Sequence, residues 1–488
     1  MDDARPARYG LVFGIAALGA AMVNLDLFIA NVALPSIGRA FHGADLASLS
    51  WVLNGYAIIF AALLVPAGRA ADRMGQRRAF LAGVVVFALS SAGCALATGV
   101  WLLVVARIVQ AAGGALLMPA SLGLLLSVAP PARRASAIRL WTAIGGLAAA
   151  LGPVIGGLLV EADWRWVFLV NVPVAAITLA VGLRVLPQAR PSAAELAEPR
   201  PDVLGAALFT AGIGVLALGL TKASDWGWTS ASVIGLIVAA VAALALFGWR
   251  SARHPAPVVE PRLLRLPAFG IATAANVLFG AGFGAMLLLV TLWCQDVWGW
   301  PALKAGLAVA PGPLMVPFLS VGAGPLARRI GPGPVAAAGC LVYAGGCVFW
   351  RLSLQLAPDY PATMLPGMLM TGIGVGLTLP TLVSAAVSAV PSGRFSTGSG
   401  VVTMARQVGI VLGVAILVTV LGSPVGGAAE LAAWGRGFVL IAGLAASAAV
   451  VSLLLVASHR KSIATSPVPE AAVDSAPVTD PAASPGPA

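Results

Sequence analysis

Charge is scarce in this sequence. Asp, Glu, Lys and Arg make up 10% of its 488 residues, against 59% hydrophobic, and mean hydropathy is +0.96. A soluble chain of that length could not cover its surface with so few charges. Histidine is rarer still: His42, His254 and His459 complete the set. All fall in loops or near helix ends, so metal ligation and histidine-based catalysis have little to build on. The four cysteines, Cys94, Cys294, Cys340 and Cys347, lack metal-ligand spacing and read as free thiols in or at the end of helices. No Gly-x-x-x-x-Gly-Lys-Ser/Thr phosphate loop is present, which argues against ATP as the energy source. No serine, cysteine or metal constellation supports an intramembrane enzyme. No stretch is long enough for a sizeable soluble domain, and no cofactor is implied.

What the sequence does have is long apolar runs. A membrane-spanning helix needs roughly 20 mostly apolar residues, and runs of that length recur almost throughout. They fall near 10–34, 50–69, 79–98, 101–127, 137–160, 164–186, 203–221, 231–249, 268–293, 303–326, 333–353, 362–387, 397–422 and 436–457. The runs are continuous rather than alternating, which selects helices over a barrel. The first, with polar Asn24, Asp26 and Asn31, reads as a retained span rather than a cleaved signal. The expected fold class is therefore an all-α integral membrane protein with fourteen spans.

The net charge of +11 belongs to short loops, and no basic stretch is interleaved with aromatics as nucleic-acid binding would need. With the N-terminus in the cytoplasm, about 21 of the 29 Lys and Arg fall on the cytoplasmic side. That asymmetry supports an even span count with both termini cytoplasmic. A repeat is visible too. Gly68-Arg69-Ala70-Ala71-Asp72-Arg73-Met74-Gly75 follows the second span, and Gly324-Pro325-Leu326-Ala327-Arg328-Arg329-Ile330-Gly331 follows the tenth. The implied organisation is a six-helix bundle over 1–190, two inserted helices over 200–255 and a second six-helix bundle over 262–460. A Pro/Ala/Ser/Thr-rich tail, 461–488, reads as disordered and cytoplasmic. Repeated halves around a central site are a common transporter plan.

Intramembrane charge is where mechanism should lie. Asp26 is the clearest acidic residue deep in a span. Burial penalises the charged form of a carboxylate, so Asp26 can load and release a proton as access alternates, or meet a cationic substrate. The alternative is a structural aspartate bonded to Asn24, Asn31 or backbone. Arg107, one turn before Gln110, is either a partner for a nearby carboxylate or a structural cation on backbone carbonyls. Arg406 and Gln407 in the thirteenth span are equally open between structural and functional roles. Asp225 and Asp296 read as solvated loop residues. Trp51, Trp141, Trp226, Trp228, Trp293, Trp298 and Trp300 lie near span ends and read mostly as an interfacial belt.

The stretch from Gly68 through Gly75 to Arg77 and Arg78 resembles the loop signature of the major facilitator superfamily. Its glycines permit a tight turn, and Asp72 with Arg73 and Arg77 would form a latch across the two halves. Gly145-Gly146 followed by Gly152-Pro153-Val154-Ile155-Gly156-Gly157 resembles the antiporter motif of the same superfamily, in which small residues let helices approach closely. Further resemblances are Leu25-Asp26 to Pro35, Asp163-Trp164-Arg165 to Pro173, Gln295-Asp296 to Gly306, and Ser399-Gly400 with Arg406-Gln407-Val408-Gly409. Together they identify the chain as similar to fourteen-helix drug:proton antiporters of the EmrB/QacA type. Phe28 departs from the family, which usually has a small hydroxyl residue there, and Ala111 departs slightly after Gln110.

That resemblance implies a proton-coupled antiporter exporting amphipathic or cationic drugs, antibiotics, dyes or biocides, with Asp26, Asn31, Arg107 and Gln110 in coupling and substrate contact. It implies a monomer in a bacterial inner membrane, partnered by small molecules, protons and lipid, and driven by the proton gradient. Two other readings compete: a dedicated exporter of one metabolite or self-made antibiotic, and a non-transporting receptor or assembly subunit.

Overall fold

A computed structural model describes residues 4–42, 44–130, 133–188, 199–353, 355–390, 395–422 and 427–465. The tail from 466 to 488 lies outside the described residues. Among the described residues, fourteen helices are long and apolar enough to cross a membrane, matching the fourteen runs in the sequence.

The first half comprises α1 (Ala4–Ala40), α2 (Leu46–Met74), α3 (Gln76–Ala95), α4 (Val100–Val128), α5 (Arg134–Ala162) and a sixth span made of α6 (Trp166–Leu169) and α7 (Asn171–Val185). The inserted pair is α8 (Val203–Trp226) and α9 (Ala231–Arg253). After a short α10 (Pro261–Leu264) come α11 (Pro267–Leu292), α12 (Ala302–Val309) and α13 (Pro311–Ile330), the last two forming one span broken at Ala310. The second half ends with α14 (Pro332–Ser353), α15 (Leu365–Ser388), α16 (Phe395–Leu421) and α17 (Gly427–Thr465). This last helix runs past the boundary placed at 460, so the first residues of the supposed tail are helical.

Local chemistry fixes the ends. Asp45 accepts from Ser48 N and starts α2, while Asp202 and Ser230 start α8 and α9 in the same way. The repeated loops turn on glycines in the left-handed region, Gly75 at φ 87° and Gly331 at φ 90°. Only glycine takes that conformation without strain, which is why both repeats end in one.

The two halves meet along a seam. On one flank α2 packs on α16, and α8 lies against both. Thr419 Oγ1 donates to Leu220 O at 2.5 Å, fastening the inserted pair there. Along the middle, Phe28 of α1 meets Phe283 of α11 edge-on at 6.1 Å, and Gln295 Nε2 donates to Val32 O at 2.9 Å. On the other flank α5 crosses α12. The expected tryptophan belt holds in part. Trp226 and Trp228 are exposed, but Trp293 and Trp298 are buried in a protein-lined aromatic group with Trp300, Trp434 and Tyr360. Their indoles fill the turn between α11 and α12 rather than facing headgroups.

Candidate functional site

The first half encloses a polar cluster inside an otherwise apolar core. Asp26 and Arg107 are 0% and 1% exposed, and Arg107 Nη1 lies 2.5 Å from Asp26 Oδ2. The same Nη1 donates to Gln110 Oε1 at 2.6 Å, and Nε donates to Val52 O at 3.3 Å. Gln110 Nε2 closes the ring, donating to Asp26 Oδ1 at 2.9 Å and Ser91 Oγ at 2.7 Å. Asn171 Nδ2 adds a second donor to Asp26 Oδ1 at 3.0 Å. The guanidinium stands 4.1 Å over the Tyr56 ring and 5.6 Å from Phe168, where the ring faces attract a cation. Residues of six helices, α1 to α4 with α6 and α7, thus gather around one ion pair.

Charge burial on this scale is costly unless the ions pair and their hydrogen bonds are filled. Here both Asp26 oxygens and three guanidinium directions are engaged, so the pair is neutral as a unit. Removing either partner would strand the other, a loss of about 3–5 kcal/mol. Such a cluster is stable only while both charges are present, and protonating Asp26 would leave Arg107 uncompensated.

Of the residues singled out in the sequence, Asp26, Arg107 and Gln110 are brought together. Both readings of Arg107 hold at once, since it meets a carboxylate and a backbone carbonyl. Asn31 stays outside: its amide donates to Leu27 O of its own helix at 3.3 Å, and Asn24 likewise bonds Ala20 O at 2.8 Å. Sequence reasoning missed Asn171, Ser91 and Tyr56. The first two were visible only as isolated polar residues in apolar runs, and Asn171 lies inside the quoted Asp163–Pro173 stretch.

The glycines of the fifth span divide by face. Cβ atoms built on Gly152 and Gly156 would strike Phe28 Cβ at 2.7 Å and Ile29 Cγ1 at 2.8 Å, inside the first half. One on Gly157 would strike Ala302 O and Leu303 Cα, both at 2.6 Å, across the seam. Gly306 answers from α12, lying directly against the carbonyl of Pro153. Backbone therefore meets backbone, and the seam is shut where α5 ends and α12 begins. Ile138, Leu140, Thr142 and Ala143 of α5 and Gly324, Pro325 and Leu326 of α13 are exposed.

The loop expected to act as a latch makes ties of its own. Asp72 accepts from Gln76 Nε2 at 2.6 Å, and Arg77 donates to Leu183 O at 2.5 Å, ties that stay within the first half. Gly68 packs on Pro119. Arg69 reaches towards the second half, donating to Pro257 O at 2.9 Å and lying 3.9 Å from Glu260, in the connection leading to α10.

Arg406 and Gln407 sit apart from this cluster. Arg406 has no carboxylate partner among the described residues, its Nε is buried without a hydrogen bond, and so is Nε2 of Gln407. Asp225 and Asp296 are exposed, as expected, with Lys222 3.1 Å from Asp225.

A family model described as Major Facilitator Superfamily matches residues 16–414. A cephamycin export protein of Amycolatopsis lactamdurans is 38% identical over 90% of this chain and 91% of its own length. A tetracenomycin C resistance and export protein of Streptomyces glaucescens is 35% identical over 84% of this chain and 75% of its own. The multidrug resistance protein Stp of Mycobacterium tuberculosis is 35% identical over 83% and 74%. Among solved structures, a sulfate-bound peptide transporter POT superposes with a TM-score of 0.67 at 16% identity, covering 92% of this chain and 94% of that one. That last likeness concerns the fold alone.

Proposed function

The chain belongs to the major facilitator superfamily, and from that premise we propose that it exports amphipathic small molecules in exchange for protons by alternating access. Membership makes it a transporter rather than an enzyme, and a multi-pass protein of the bacterial inner membrane. Direction is supported by the relatives, whose names describe export or resistance.

The observation that carries proton coupling is the Asp26 cluster. Among the described residues, every other carboxylate falls in a loop or near the end of a helix. A proton carrier at mid-membrane therefore has one candidate. Its Arg107 partner gives the two protonation states different electrostatic energies, so changes in the packing of α1, α4 and α7 bias proton uptake, and proton uptake biases the packing. The shut seam at Gly157 and Gly306 supports a state closed at that end. Placing Arg69, Arg73, Arg77 and Arg78 in the cytoplasm puts the exposed ends of α5 and α13 on the cytoplasmic side, where an exporter collects its load.

The test is proton movement in proteoliposomes enclosing a pH-sensitive dye, with wild type and Asp26→Asn. Compound-dependent flux that disappears in Asp26→Asn is expected. Flux unchanged by Asp26→Asn would keep the antiporter and overturn the site. No flux with any of a broad set of antibiotics and dyes, in folded protein, would point to a non-transporting role. Two relatives are named for single antibiotics, which favours a narrow substrate range as a second reading. Competition among unrelated compounds for one flux separates narrow from broad.

A further inference from the structure

The Arg107 charge is spent on Asp26, but the second half holds a cation with no such partner. Arg406 lies in the middle of α16 and is partly exposed, its Nε buried without a hydrogen bond. Its neighbour Gln407 is 2% exposed, with Nε2 equally without a partner. Both orphaned atoms are donors. A buried donor left unmade is costly, and an uncompensated guanidinium inside a span is more so.

Their direction follows from helix geometry. Residues seven and eleven apart share a face of an α-helix. Gln407 is seven before Val414 and eleven before Val418, and Arg406 is eleven before Leu417. Those three apolar residues belong to the core cluster that joins α16 to Ile29–Ile37 of α1 and Leu49–Leu53 of α2. Gln407 thus continues the seam-facing stripe of α16, while Arg406 stands beside it on the α11 side, as Leu417 does against Leu289 and Gly437. Depth follows from packing: the Arg406 side chain approaches Gly280 of α11, about one turn from Phe283, which touches Phe28 near Asp26. The pair stands at the level of the Asp26 cluster, on the opposite side of the seam.

The charges inside the spans at this depth then sum clearly among the described residues. Asp26 and Arg107 cancel, and Arg406 remains. We propose that Arg406 and Gln407 form a subsite for an anionic oxygen on the exported molecule, a carboxylate or an ionised acidic hydroxyl, so that the transported class is amphipathic anions rather than cations. A carboxylate takes two N–H donors at once, with the guanidinium supplying charge and the amide a second bond. This rests on the transporter reading above, and it replaces the expectation of cationic substrates that arose from Asp26 considered alone.

The test is equilibrium binding to the full chain in detergent, with dyes of one scaffold and opposite charge. Fluorescein and rhodamine 6G form the large pair, benzoate and benzyltrimethylammonium the small one, the latter read by displacement or thermal shift. Wild type should bind the anion of at least one pair tenfold or more tighter than its cation. Arg406→Gln should erase that preference, Arg406→Lys should keep most of it, and Gln407→Leu should weaken anion binding several-fold without reversing the order. A melting curve for each variant shows that it is folded, and Gln407→Leu carries the test if Arg406→Gln is not. Preference for the cations, no binding of any of the four, or an anion preference that survives Arg406→Gln would each overturn the proposal. Binding needs no transport. Anion binding without compound-driven proton flux would sink the exporter reading and leave the subsite; cation-driven flux indifferent to Arg406 would do the reverse.

Discussion

A single methyl group at Gly306 should change which end of the protein is open. In the shut seam a Cβ there would overlap the Pro153 carbonyl, lie 2.9 Å from its carbon and approach Val154 Cα at 3.5 Å. All of these are backbone atoms of another half of the molecule, so no side chain can turn aside. The cost falls only on the state in which α5 and α12 touch, because the contact crosses the seam. Overpacking of this kind costs about 1–3 kcal/mol, which is roughly a 5- to 150-fold shift in the ratio of open to closed forms. Spin labels at Glu161→Cys and Lys304→Cys, both exposed at that end, report the separation by double electron–electron resonance. The four native thiols are buried and should label poorly. Gly306→Ala should move population from the short to the long distance. Gly146→Ala, on the same α5 with nothing within 4 Å of its Cβ, should leave the distribution alone. An unchanged distribution in folded Gly306→Ala would refute the seam as the gate.

Other expectations follow from the same geometry. Asn171→Ala removes one of two donors to a fully buried Asp26 Oδ1 and should lower thermal stability by about 1–3 kcal/mol, read by melting in detergent. Gly413→Val should cut the yield of monodisperse protein sharply, since Gly413 lies against the Ala281 carbonyl of α11, whereas Gly214→Ala has open space and should not. At Asp45 burial acts to raise the carboxyl, but hydrogen bonds from Ser48 and the charge of Lys222 outweigh it and hold it below its ordinary value of 3.8. Its stabilising contribution is therefore present above that value and lost as pH falls through the lower, folded one. The melting gap between wild type and Asp45→Asn should be open near pH 6 and close on acidification to about pH 3; a gap constant across that range contradicts the sign.

Span number and the repeat were readable because each rests on local pattern. Long apolar runs must become helices in lipid, and the paired loops need glycine at Gly75 and Gly331 whatever the rest does. Asp26 and Arg107 were readable because a charge in an apolar run is conspicuous. Their mutual contact was not, since 81 residues separate them and only the packing of α1 on α4 joins them. Asn171 and Ser91 were harder, because a small polar residue in a span usually bonds its own backbone, as Asn31 does. The tryptophans of the α11–α12 turn misled for a related reason: proximity to a span end does not say whether an indole meets lipid or protein. The antiporter glycines were recognised as a motif, yet the sequence does not show that Gly152 and Gly156 face one half while Gly157 faces the other.

The charge of the exported molecule also decides what voltage does. Fixed residues return to their places after each cycle, so their charges cancel, and the net charge moved is that of the proton and the substrate alone. One proton in for one monovalent cation out moves nothing, and a membrane potential is then no driving force. One proton in for one monovalent anion out moves two charges in the same electrical sense. At about 2.3 kcal/mol per charge per 100 mV, the second exchange gains about 4.6 kcal/mol per 100 mV, a limiting gradient of roughly two thousand-fold. Proteoliposomes with equal pH on both sides and a potassium diffusion potential set by valinomycin isolate this term. If Arg406 is the partner of an anionic oxygen, the potential alone should drive accumulation of a monovalent, membrane-impermeant sulfonated dye, and Arg406→Gln should remove it. Exchange that proceeds with a pH gradient but ignores the potential would mean that proton and substrate charges cancel, and the anion assignment would fall while proton antiport stood.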